Sequence, residues 1–203
     1  MKDIFTDIYQ KNRWNGPDSV SGTGSSLAQT RVIIRLLPRI LRQYHIHSML
    51  DAPCGDFHWM KEVASHVPHY IGGDIVPGLI RQNQQRYTTR DCSFRLLDIT
   101  RNRIPRVDLI FCRDCFVHFS FVHIKRALTN FKKSNARYLL TTTFPQRKQN
   151  SDQATGHHWR PINLQLAPFH FPPPLALINE RCTEGHGRFI DKSLGLWKLA
   201  NLS

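Results

Sequence analysis

Three short apolar runs, each closing on an aspartate, constrain this chain more than any other feature. Ser48-Met49-Leu50-Asp51 leads straight into Ala52-Pro53-Cys54-Gly55-Asp56-Phe57, a tight turn of the kind that delivers backbone N–H groups to a ligand. Tyr70-Ile71-Gly72-Gly73-Asp74-Ile75 closes the same way, with Asp74 placed 23 residues after Asp51, the usual separation between a glycine-bearing turn and a ribose-holding carboxylate. Phe94-Arg95-Leu96-Leu97-Asp98-Ile99 is the third. Acidic strand ends in series mark the carboxyl edge of an open α/β sheet, where such sheets bind ligands.

Helical patterns fall between these strands. Ser26-Leu27-Ala28-Gln29 is a capping box, so a helix is predicted to start there, with Gln29 reaching back. Leu27, Ile33, Ile34, Leu37, Ile40, Leu41 and Tyr44 recur at its inner face, Arg31, Arg35, Arg39 and Arg42 point outward, and Pro38 is expected to kink it. Residues 57–66 suit the first crossover helix, and Pro77 opens the second, which runs to Tyr87. A fourth strand is predicted over 107–112. Ser120 then caps a helix bearing Val122, Ile124, Ala127, Leu128 and Phe131, and a fifth strand spans 137–144. Alternation of this kind builds a parallel sheet covered on both faces. The runs 162–166, 175–179 and 194–199 supply the remaining strands, and 145–158 is expected to be a mobile loop over the site.

Together these motifs resemble the class I S-adenosylmethionine-dependent methyltransferases, over most of the chain from Trp14 to about Leu199. The resemblance implies an α/β, Rossmann-like, doubly wound, mostly parallel seven-stranded sheet in one domain, 1–203, with an irregular lead-in over 1–26 and the last strands within 145–203. It implies S-adenosyl-L-methionine as cofactor: Asp51 for its ammonium, the amides of Gly55 and Asp56 for the methionine part, Asp74 for the ribose, Asp98 and Ile99 for the adenine. Pro53, Cys54, Phe57, Ile75 and Arg113 complete the cofactor set. Pro53 and Phe57 stand where many members carry glycine, which leaves open a non-catalytic, RNA- or protein-associated module that keeps the fold.

Arg113-Asp114-Cys115-Phe116-Val117-His118 follows the fourth strand, where the family places its methyl acceptor. Asp114 or His118 is the candidate base; the alternative pairs Arg113 with Asp114 and makes His118 a packed turn residue. Trp14 is costly to leave in water and is expected to fold back on something apolar, which the resemblance places over the crevice, and Trp159 with Arg160 suits either a substrate lid or a capped loop. The acceptor implied is an oxygen or nitrogen nucleophile of a small molecule or saccharide. No Asn/Asp-Pro-Pro-aromatic run follows the fourth strand, which counts against base methylation. A nicotinamide enzyme requires a fuller G-x-G-x-x-G than this first turn offers.

Composition bounds the rest. A net charge of +13 attracts polyanions, but the basic residues are spread along 203 residues, so a nucleic-acid partner is admitted without being favoured. No run approaches a membrane span, and the opening residues lack the apolar centre of a signal peptide, so a cytoplasmic location is expected. Five cysteines at irregular spacing argue against a disulfide framework. Cys112 and Cys115 read as small buried hydrophobes rather than a metal or redox pair, and no metal site is expected.

Overall fold

A computed structural model describes residues 1–16 and 18–202. Pro17, in the expected lead-in, and Ser203, at the end of the last segment, lie outside the described residues. The helices are α1 (Lys2–Gln10), α2 (Leu27–Gln43), α3 (Lys61–Ala64), α4 (Pro77–Tyr87) and α5 (Phe121–Lys133). The strands are β1 (Ser48–Asp51), β2 (His69–Asp74), β3 (Cys92–Leu96), β4 (Leu109–Cys112), β5 (Tyr138–Thr143), β6 (Ala176–Asn179) and β7 (Ser193–Lys198).

All seven strands form one sheet in the order β3-β2-β1-β4-β5-β7-β6. The first five run parallel, while β7 is antiparallel to both β5 and β6. Period-two alternation sorts the strand side chains onto two faces. Leu50, Ile110 and Leu139 join α5 through Ile124, Ala127 and Phe131. Met49, Leu109, Phe111 and Leu140 join α2 through Ile33, Leu37 and Leu41. The chain order reverses between β1 and β4, and there the carboxyl ends splay into a crevice.

Local signals explain the element starts. Ser26 and Ser120 accept the amides of Gln29 and His123, each at 3.3 Å, as N-cap residues do. Pro77 is the first residue of α4, where its missing N–H costs nothing. Other expectations are corrected. Gln29 does not complete a capping box; its side chain bonds Thr183 at 2.7 Å, tying α2 to the β6–β7 connection. α2 continues as one helix past Pro38, with Ile33, Leu37 and Leu41 seated in the core on both sides of it.

The lead-in is not irregular throughout, since α1 occupies Lys2–Gln10 and buries Phe5 and Ile8. The first crossover helix shrinks to α3, preceded by turns, because Phe57 adopts a left-handed φ of 59° that no α-helix accepts. Residues 162–166 form no strand. Leu164 donates its amide to the Thr143 hydroxyl at 3.2 Å instead of entering the ladder. Among the described residues, no helix is long and apolar enough to cross a membrane.

Candidate active site

The turn after β1 is shaped by backbone conformation. Gly55 has φ of 54°, and a Cβ there would lie 2.2 Å from the Ser21 hydroxyl. Gly55→Ala is therefore expected to displace the lead-in segment and weaken ligand binding at this edge at least threefold by calorimetry, with the core intact by circular dichroism. Phe57 leaves the cleft altogether: its ring packs beneath the turn on Tyr70, Tyr87 and Phe94, with centroids 5.1 to 5.2 Å away. An aromatic ring at that position gains more from the core than from a ligand edge, which corrects its place in the cofactor set.

The three strand-end aspartates line one cleft of about 290 Å³. Asp51 accepts the Tyr70 hydroxyl at 2.6 Å, and burial drives its carboxyl up to about 8 against that bond. Asp74 is raised by burial to about 6, opposed by the amides of Val76 (2.9 Å) and Gly55 (3.1 Å). The Ile75 amide faces it as well, and of the roughly four acceptor sites of a carboxylate one remains for a ligand donor. Asp98 lies two residues past β3 and turns Oδ1 to the amide and hydroxyl of Thr100. Pro53, Cys54, Ile75 and Ile99 line the same cleft.

The lead-in crosses the top. Asp56, expected to offer its amide to the cofactor, instead donates it to the Ser21 hydroxyl at 3.4 Å, and its carboxylate holds this segment by accepting the Ser19 hydroxyl (2.9 Å) and the Val20 amide (3.0 Å). Trp14 reaches the cleft and packs on His118 with ring centroids 4.9 Å apart.

On the far side stands a buried ion cluster. Arg113 bonds Glu180 at 2.7 Å, Asp114 at 3.3 Å and the Gly24 carbonyl at 2.9 Å. Lys192 bonds Asp114 at 2.6 Å and approaches Glu180 at 3.7 Å. Burial alone would raise the Asp114 carboxyl, but the two cations outweigh it and hold it at about 2, which makes Asp114 a poor proton acceptor. Its φ of 50° is strained for a residue other than glycine, and its amide is fixed on the Thr142 hydroxyl at 2.8 Å.

His118 is different. Its Nδ1 lies 3.1 Å from the His158 carbonyl. A carbonyl only accepts, so we assign the proton to Nδ1 and the free lone pair to Nε2. Burial lowers its proton affinity, which keeps the ring neutral near pH 7.

Phe144, Trp159 and Phe189 complete this half of the wall. Arg160 does not reach it. Its guanidinium donates to the carbonyls of Ser151, Phe116, Val117 and Phe119 at 2.7 to 3.0 Å, because a buried cation with no carboxylate beside it needs several oxygens. The 145–158 loop, expected to be mobile, is fastened by that arginine, by Asn150 to Asn163 and Ala167, and by Gln153 to Val117 and His158. Sequence reasoning missed Glu180, Glu184, Lys192, Thr142, Phe144 and Phe189. Glu180 carried the signal already used elsewhere, an acidic residue closing the apolar run of β6.

No protein-family model and no curated protein matches the sequence. Solved structures do match. Human N-acetylserotonin methyltransferase, in complex with S-adenosylmethionine, aligns over 97% of this chain and 59% of its own at 14% identity, with a TM-score of 0.66. The fold is that of the class I S-adenosylmethionine-dependent methyltransferases. The present chain thus spans less than two thirds of that protein's length. The N-methyltransferase NodS from Bradyrhizobium japonicum, with S-adenosylhomocysteine, aligns over 70% of this chain and 74% of its own (18% identity, TM-score 0.57). Magnesium protoporphyrin IX methyltransferase from Synechocystis, with bound S-adenosylmethionine, covers 75% and 80% (16% identity, TM-score 0.56). The methyltransferase fold puts β7 antiparallel beside β5, as found here.

Proposed function

We propose that this protein transfers a methyl group from S-adenosylmethionine to an oxygen or nitrogen of a small molecule or saccharide. The observation that carries this reading is the convergence of Asp51, Asp74 and Asp98 on one aromatic-walled cleft. Asp51 and Asp74 are buried carboxylates with no basic side chain within ion-pair distance among the described residues, and a cationic, hydroxyl-rich ligand satisfies both. The residues present fit the cofactor: Asp74 for the ribose hydroxyls, Asp51 for the ammonium, Asp98 and Ile99 for the adenine edge. When bound, S-adenosylmethionine supplies an electrophilic methyl on a sulfonium.

The chain's own part is to position the acceptor, exclude water and accept a proton. α1 and Trp14 roof the cleft. His118 is the base of this reading, through Nε2, while Asp114 serves to hold Lys192 and Arg113 in place.

Incubation with methyl-labelled cofactor and a small-molecule cell extract tests the reading. Label should move into low-molecular-mass products. Cofactor binding without any transfer would favour a non-catalytic module instead. Asp74→Asn should weaken S-adenosylhomocysteine binding by at least ~1 kcal/mol through loss of charged hydrogen bonds. An unchanged dissociation constant in calorimetry removes Asp74 from the site.

A further inference from the structure

The cleft inverts the charge of the molecule around it. The chain has 28 Lys and Arg against 15 Asp and Glu. Yet among the described residues the wall carries six carboxyl groups, from Asp51, Asp56, Asp74, Asp98, Asp114 and Glu184, against two cationic side chains, Arg113 and Lys192, and the neutral imidazole of His118. Both cations are engaged with Asp114 and with Glu180 beneath it. The acceptor half therefore holds an acidic excess, and it falls on Glu184.

Glu184 accepts the Thr23 hydroxyl at 2.5 Å and the Cys182 thiol at 3.7 Å, neither of which neutralises it. Among the described residues it forms no ion pair. It belongs to one continuous wall with Asp114 and Lys192. A Cβ on Gly24 would stand 3.3 Å from Glu184 Oε2 and 3.5 Å from both Asp114 Oδ2 and Lys192 Nζ. On its other side Gly185 lies against Phe189, so closely that a Cβ there would meet the ring at 2.3 Å. Phe189 meets Trp159 edge-on at 4.7 Å, and Trp159 stacks on Phe144 at 6.3 Å.

Trp159 remains 43% exposed although it lines the cleft. The neighbouring rings already draw cations, the Arg147 guanidinium lying 5.8 Å from the centre of Phe144 and 5.9 Å from that of Phe189, and the Arg188 guanidinium 5.8 Å from Phe189, whereas Trp159 carries none among the described residues. A carboxylate with no ion pair of its own, beside an aromatic face, is the chemistry of ammonium recognition.

We propose that the methyl acceptor is an amine-bearing ring compound, its ammonium held by Glu184 and the face of Trp159, and that it is preferred over carboxylate and phosphate acceptors. The proposal rests on the methyltransferase reading and names its substrate class. Calorimetry on protein saturated with S-adenosylhomocysteine tests it with two probes that share a ring, tyramine and 4-hydroxyphenylacetate. Tyramine should bind at least tenfold more tightly. Glu184→Gln keeps an oxygen for Thr23 and should lower tyramine affinity about tenfold while leaving the acid no weaker. Equal affinities, preference for the acid, or no tyramine binding to the loaded protein overturns the proposal. Failure of S-adenosylhomocysteine itself to bind strikes the methyltransferase reading, and the proposal falls with it.

Discussion

Replacing Arg113 with methionine should cost the fold about 3–5 kcal/mol in urea denaturation, the range for removing one partner of a buried ion pair. Glu180 is 1% exposed and receives two guanidinium bonds, so the substitution leaves its charge buried with Lys192 as sole counter-ion, 3.7 Å away. Removing Glu180 as well, as Arg113→Met with Glu180→Leu, should recover more than half of that loss, since a charge-free pair of similar volume carries no desolvation penalty. A single variant losing under about 1 kcal/mol would show that the cluster adds nothing to stability.

The second large effect is on pH. In the ligand-free protein, burial sets the Asp51 carboxyl at about 8 and that of Asp74 at about 6, both above the ordinary 3.8. Between those values the folded state holds protons that the unfolded chain has released. The stability they contribute is complete below about pH 4 and is lost as pH rises, through about 6 for Asp74 and about 8 for Asp51. The lowered groups act in the opposite direction, Asp108 and Asp114 as pH falls below the ordinary 3.8, and His118 and His123 as it falls below the ordinary 6.5, which offsets part of the slope. The ligand-free protein is therefore expected to melt higher at pH 5.5 than at pH 8.5.

Asp51→Asn should flatten this slope and stabilise the protein at pH 8.5 by about 1–3 kcal/mol, since it removes a buried charge. Binding runs the other way. A cationic ligand group needs the carboxylate, so affinity for S-adenosylhomocysteine should climb by up to about tenfold per pH unit between 6 and 8, with release of a proton measurable by calorimetry in buffers of different ionisation enthalpy. Affinity flat across that window would take Asp51 out of the ligand's reach.

Much of this architecture was legible because its signals are local. Ser26, Ser120 and Pro77 each act within one helical turn, and an apolar run ending in aspartate needs only a few residues to declare a strand edge. What escaped was non-local or conformational. Arg113 meets Glu180 across 67 positions and Lys192 meets Asp114 across 78, and no spacing rule joins them. The direction of Phe57 depends on a left-handed backbone angle rather than on residue type. α1 puts Phe5 and Ile8 into the core with Tyr9 packed against it, but nine residues give too few turns for a period to declare itself.

The bonds of Arg160 bear on how the protein can move. One guanidinium grips four main-chain oxygens from two stretches of chain, and one of those stretches carries His118 while the other leads to the His158 carbonyl. The imidazole and the oxygen that fixes its proton are thereby riveted to a common chassis. Any opening of the cleft is then expected at the amino-terminal roof, with the proposed base keeping its aim.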